Sequence, residues 1–165
     1  MANLPYYEQK DIENIQKLRT MLKELPPYCT EYFRGIEPRT STRTRIAYAY
    51  DLSVFFDLLK KENPVFSKMD RMDFRLEHLD QLTVSDLEEY MEYLKYRFNE
   101  NNKEVINKER GIMRKISSLK SFYNYFFRVE KIKTNPAALV RLPKLHDKEI
   151  IRLDIDEVAM LLDEV

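Results

Sequence analysis

The stretch ERGIMRKISSLKSFYNYFF, residues 109–127, carries two patterns at once. Ile112, Ile116, Leu119, Tyr123 and Phe126 recur at steps of three and four, the spacing of one face of an α-helix. On a wheel turning about 100° per residue they fall within roughly 60° of arc. Arg110, Arg114, Ser117, Ser118 and Ser121 lie opposite, with Lys115 and Lys120 at the flanks. A solvated face usually mixes Glu with Lys, but no acid follows Glu109 until Glu130. The pattern predicts a helix over about 107–130 with one face for a core and an acid-free basic face opposite it.

The neighbouring segments follow the same rules. Ile12, Ile15, Leu18, Leu22 and Leu25 make an amphipathic helix of 9–25, stopped by Pro26-Pro27. A short helix ends at Gly35, and 36–41 reads as a turn. Residues 42–61 form the next helix, with Thr40, Ser41 or Thr42 as N-cap and Tyr48, Leu52, Phe55 and Leu59 as its stripe. Residues 64–82 show weak periodicity and read as a long connection with a turn of helix near 69–71. Thr83 and Asp86 form a capping box for a helix reaching Phe98, which the run 99–102 breaks. Pro136 opens a short helix to about Arg141, residues 144–152 read as a linker, and Val158, Leu161 and Leu162 begin another apolar face. That unfinished face reads as the start of a further domain. With two glycines and an abundance of helix formers, the expected class is all-α.

Composition excludes several functions. The 28 basic and 28 acidic side chains cancel, so overall charge selects no partner. Segregated charge still can: Arg39, Arg43 and Arg45 stand in an acid-free run from 38 to 50, and 108–120 and 128–144 are basic, whereas 70–92 is acidic. No apolar run approaches the ~20 residues of a membrane span. The first residues lack the pattern of a secretory signal, and the lone Cys29 fits a reducing compartment, so a cytoplasmic protein is the expectation. His78 and His146 have no neighbouring ligand at metal spacing, Glu88, Glu89 and Glu92 read as a solvated helix face, and Cys29 reads as a buried thiol. No glycine-rich phosphate loop exists, and no catalytic constellation assembles. No cofactor and no metal is expected.

Arg and Lys neutralise phosphates, while short Ser and Thr side chains let a helix sit deep in a major groove. Opposite its stripe, the helix of 42–61 carries Arg43, Ile46, Tyr50 and Ser53, with Arg39 just before it. Gly111 would let backbone approach a phosphate closely. The plainer reading of both faces is ordinary solvent exposure. The aromatic run Tyr123, Tyr125, Phe126 and Phe127 reads as core rather than as a base-stacking platform.

The order of these pieces resembles a known family. RGIEPRTSTRTRIAYAYDLSVFFDLL (34–59) resembles the G-[LI]-x-P-x-T-x-x-x-Y-x-x-D-L-x-x-F pattern of the N-terminal domain of tyrosine recombinases and phage-type integrases. LTVSDLEEYMEYL (82–94) resembles their next helix, and RKISSLKSFYNYFFRVEKIKTNPAALVRLPK (114–144) the following stretch with its N-P-[AS] turn. LDIDEVAMLLDEV (153–165) resembles the helix that begins their catalytic domain. The match covers about 28–165; the long 62–82 connection and the 9–25 helix depart from the family pattern. The resemblance implies a SAM-like bundle of four to five helices, the core-binding domain, at 27–143. An N-terminal helical extension at 1–26 would precede it, and 144–165 would lead into the catalytic domain. It implies duplex DNA as partner, contacted by Thr42, Arg43, Tyr50, Arg114, Lys115, Ser117, Ser118, Lys120 and Ser121. The basic-face reading adds Arg39, Arg45 and Arg110. It implies a parent enzyme, tetrameric on paired sites, whose Tyr, Arg, Lys and His groups exchange DNA strands without metal or ATP; none of those catalytic residues falls within this sequence. Two other readings stand beside it: a stand-alone helical DNA-binding regulator, and a helical module that meets acidic protein. The 9–25 helix packs on the domain or serves subunit contacts.

Overall fold

Prolines and short polar side chains set four of the six helix starts in the computed structural model, which describes residues 4–144. Pro5 and Pro27 precede α1 (Tyr6–Leu22) and α2 (Tyr28–Ile36), where a missing N–H costs nothing. Ser41 caps α3 (Thr42–Glu62), its hydroxyl accepting from the Thr44 N–H. The Thr83–Asp86 capping box forms reciprocally and opens α5 (Val84–Lys95). The helix from the opening stretch, α6, spans Glu109–Arg128. Asn135 caps a 3₁₀ turn over Pro136–Leu139.

Three sequence expectations are corrected. The 64–82 connection contains α4 (Leu76–Gln81) and a 3₁₀ turn at Arg71–Asp73. It is ordered because it carries core: Phe66, Phe74, Leu79 and Leu82 are buried. The α5 helix stops at Lys95, and Phe98 belongs instead to a small antiparallel hairpin of β1 (Arg97–Phe98) and β2 (Glu104–Val105). The 36–41 turn begins as 3₁₀ helix over Glu37–Arg39. The expected linker and partial helix of 144–165 lie, apart from Lys144, outside the described residues, as does His146.

The all-α expectation holds: six helices pack around one core among the described residues. Every member of the α6 stripe, Ile112, Ile116, Leu119, Tyr123 and Phe126, is buried. An aromatic chain threads the centre. Tyr32 of α2 meets Phe122 of α6 at 5.1 Å, Phe122 meets Phe56 of α3 at 6.4 Å, and Phe56 meets Phe74 at 5.3 Å. The edge-on geometry of the first two contacts suits ring quadrupoles. Helix α1 packs along α3, with Leu18 in the shared core. At the margins Asp57 holds Arg71 and Glu31 holds Lys131. Asp80 accepts from the Lys133 and Thr134 N–H groups and so fixes the turn after α6. No described helix is long and apolar enough to cross a membrane.

Gly35 sets the approach of α2 to α6, because a Cβ there would lie 2.3 Å from the Tyr125 ring. Gly35→Ala should lower the melting temperature: overpacking costs about 1–3 kcal/mol against at most ~1 kcal/mol of helix propensity. Burial pushes the Tyr28, Tyr32, Tyr90 and Tyr123 hydroxyls and the Cys29 thiol far above their usual ranges. The folded state therefore holds protons that the unfolded chain releases. Stability should stay level below the unfolded thiol value of about 8.5, begin to fall above it through Cys29, and fall more steeply above the unfolded tyrosine value of about 10, by up to ~1.4 kcal/mol per pH unit for each such group. Urea melts across pH 8 to 11 (on the order of one unit apart) would check the slope, and flat stability would contradict the burial.

Candidate nucleic-acid interface

Because the apolar stripe of α6 turns inward, its outward line is fixed. Arg110, Arg114, Ser117, Ser121, Asn124 and Arg128 follow one another at steps of four and three along it. Arg110, Arg114, Asn124 and Arg128 are exposed; Ser117 and Ser121 are half-buried. Arg39 and Arg43, from the turn before α3 and its first residues, are also exposed, as is Tyr50. A cleft of about 470 Å³ lies between the turn and the C-terminal half of α6, with Arg39, Ser121, Asn124 and Arg128 on its walls. It joins the two basic elements into one surface. The Arg128 guanidinium lies 5.9 Å from the Tyr125 ring, and Asn124 accepts from the Asn135 amide at 2.8 Å.

The sequence places twelve residues at this surface, and the structure withdraws four of them from solvent. Lys115 is the main correction. Its side chain is 2% exposed and its Nζ donates to Asp51 Oδ1 at 2.9 Å. At the flank of the wheel its long stem reaches back into the α3–α6 crossing, where a carboxylate awaits it. Ser118 is buried too, its hydroxyl donating to the Lys115 carbonyl. Arg45 folds back under its own helix start, Nη1 donating to the carbonyls of Glu37 and Thr40 at 3.1 and 2.6 Å. Thr42 is covered by α1 and its hydroxyl donates to Asp11.

Three more are partly committed. Lys120 Nζ donates to the Val140 carbonyl at 2.7 Å and pins the segment after the 3₁₀ turn. The Ser121 hydroxyl pairs with the Tyr32 hydroxyl at 2.8 Å. Arg114 donates from Nη2 to Asp51 Oδ1 at 3.0 Å, yet its side chain stays 53% exposed, so one edge is anchored while the rest faces outward. Tyr50 lies over Lys115, whose Nζ is 4.8 Å from the ring centroid.

Asn124 and Arg128 were missed by sequence reasoning, although the four-and-three spacing that joins Arg110 to Ser121 continues through both. Asp51 was missed for a different reason: an acid in an otherwise basic run looks like surface. Its carboxylate is 1% exposed, and Oδ2 has no hydrogen-bond partner. Nothing else at the surface suggests chemistry. Among the described residues no cluster of His, Cys, Asp and Glu could hold a metal ion, and burial raises the Cys29 thiol out of the reactive range.

Comparison with known proteins gives one consistent set of relatives. Tyrosine recombinase XerC of Caldanaerobacter subterraneus subsp. tengcongensis is 35% identical over 85% of this chain and 40% of its own length. Tyrosine recombinase XerC of Chlorobaculum tepidum is 30% identical over 96% of the chain and 40% of its own length. That of Lacticaseibacillus casei is 39% identical over 67% and 31%. No family model matches the chain. No solved structure matches it either.

Buried Lys115 and exposed Arg110 should behave oppositely on substitution. Lys115→Ala leaves the buried Asp51 carboxylate with the half-exposed Arg114 as its remaining cation and should cost up to about 3–5 kcal/mol. Arg110→Ala, at an exposed position, should stay within about 0.5 kcal/mol of wild type. Chemical denaturation of both variants checks the assignment; equal stabilities would place Lys115 at the surface after all.

Proposed function

The chain is homologous to tyrosine recombinases over most of its own length and spans about 40% of theirs, and from that premise we propose that it is the duplex-DNA-binding N-terminal region of such an enzyme. The observation that carries this reading is the line Arg110, Arg114, Ser117, Ser121, Asn124 and Arg128, free of acids over its whole length and with Arg39 across the cleft beside its C-terminal half. A helix of this kind suits the major groove: guanidinium groups reach phosphates at its edges, and the short side chains between them let the backbone sit deep enough for Asn124 and the serines to meet base edges. Tyr50 adds an aromatic face with a hydroxyl. Gly111 falls beside Arg110, where the absent side chain lets the helix approach the backbone.

In this reading the region binds and positions DNA and carries out no strand transfer itself. The chemistry belongs to the remaining part of the parent protein, where a tyrosine attacks a phosphodiester and a covalent DNA–tyrosine link forms. The core-binding bundle corresponds to 27–143, and α1 forms the extension that packs on α3. The parent works on paired DNA sites as a tetramer.

Salt dependence separates this reading from a regulator of other specificity and from a module for acidic protein. Arg39, Arg43, Arg110, Arg114 and Arg128 supply five exposed cations. If each neutralises one phosphate, log K should fall with log salt at a slope of about −4 to −5. Binding that ignores salt, or no binding to any duplex at low salt, sinks the proposal. Gly111→Ala gives a second check. The added Cβ meets only Asn107, at 3.4 Å, so the protein should be stabilised by up to ~1 kcal/mol while DNA affinity falls. Rising affinity would show that the backbone keeps its distance from the phosphates.

A further inference from the structure

A carboxylate is an unexpected thing to find at the base of a surface built to attract phosphates. Asp51 belongs to α3, between exposed Tyr50 and buried Leu52. Its Oδ1 accepts from two successive residues of α6, Lys115 Nζ at 2.9 Å and Arg114 Nη2 at 3.0 Å. The three residues share a point but not a fate: Asp51 and Lys115 are sealed off, and Arg114 reaches out. Lys115 in turn lies under Tyr50, within cation–π distance of its ring.

Stability is a poor reason for this arrangement. Removing a carboxylate and an ammonium from water costs about as much as their attraction returns, and a well-packed apolar pair serves a core at least as well. What the arrangement does accomplish is order. Arginine is a long side chain, and it loses rotamer freedom when a ligand immobilises it; an arginine already held on one edge loses less. The Asp51–Lys115 pair holds Arg114 on one side and supports the Tyr50 ring on the other. Those two exposed groups come from different helices, α6 and α3, and both lie on the basic surface.

We propose that Asp51 is the buried positioning residue of this interface, orienting Arg114 directly and Tyr50 through Lys115 so that both meet duplex DNA already ordered. This rests on the DNA-binding reading above. It also explains why an acid is compatible with an anion-binding surface. Asp51 is neutralised within the cluster, two cations against one carboxylate, and the net positive charge sits on the exposed member.

The test has to separate orientation from charge and from folding. Asp51→Asn alone would leave Lys115 buried without its counter-charge. The charge-balanced pair Asp51→Leu with Lys115→Met removes both ions together and should keep a cooperative melt. Measured against a mixed-sequence duplex, the pair should bind about five- to tenfold more weakly than wild type, because Arg114 and Tyr50 now have to be ordered on binding. The salt slope should stay the same, since Arg114 still reaches its phosphate. In a background already carrying Arg114→Ala and Tyr50→Ala, the same pair should change affinity by less than about twofold. Wild-type affinity in the pair variant overturns the role of Asp51, and so does an equal loss in both backgrounds, which would mark a purely structural effect. A wild-type chain that binds no duplex overturns the DNA reading itself. Should the pair variant fail to fold, side-chain relaxation of the Arg114 Nε–Hε group in the DNA-free wild type decides: a rigid group supports positioning, and a freely averaged one overturns it.

Discussion

One buried carboxylate sits where α6 crosses α3. Asp51 receives Lys115 and Arg114 at 2.9 and 3.0 Å, in a crossing otherwise made of Phe, Leu and Ile. A lysine in such a place is tolerable only beside an opposite charge. With Asp51 present, α6 can turn Lys115 inward, and the helix then presents Arg110, Arg114, Ser117, Ser121, Asn124 and Arg128 to solvent. Without it, burial of the ammonium would oppose the rotation that the apolar stripe demands. The inner and outer faces of α6 are thus settled together, by aromatic packing on one side and by one ion cluster at its edge.

Other polar residues near this surface work in the same manner. Arg45 spends its donors on the carbonyls of Glu37 and Thr40 and so holds the turn that carries Arg39. Thr42 ties the start of α3 to Asp11 of α1. Lys120 secures Val140, and Ser121 meets Tyr32 across the α2–α6 contact. A basic or hydroxylated residue beside a charged surface is therefore either a contact or a brace. Geometry sorts the two: Lys115 and Arg45 have their donors turned inward, whereas Arg39, Arg43 and Arg110 are exposed. The homology to tyrosine recombinases shows the kinship of the chain but does not make that distinction between neighbouring residues.

Much of the architecture was legible in the chain itself. The Pro26-Pro27 pair, a cap within 40–42 and the Thr83–Asp86 box are local devices that act within a few residues, so their positions in sequence are their positions in space. The α6 stripe was legible for the same reason, since five apolar residues at helical spacing leave one way to bury them. The missed elements depend on distant partners. Leu76–Gln81 is a helix too short to show periodicity, and it is fixed where the Tyr123 hydroxyl donates to the Leu79 carbonyl, 44 residues away in sequence. The hairpin at 97–105 has two-residue strands, below the length at which alternation can be seen.

The sequence by itself determined the helical class, the starts of α2, α3 and α5, and the acid-free character of the α6 surface, because each follows from spacing and local bonding. Only the tertiary structure decided which of the basic residues face outward. Lys115 and Arg114 are neighbours of like charge; the helical wheel puts Arg114 opposite the stripe and Lys115 at its flank, but a flanking side chain can turn either way. The difference comes from Asp51, more than sixty residues earlier. A long cationic side chain goes where its counter-charge is, and that location exists only once α3 and α6 have packed.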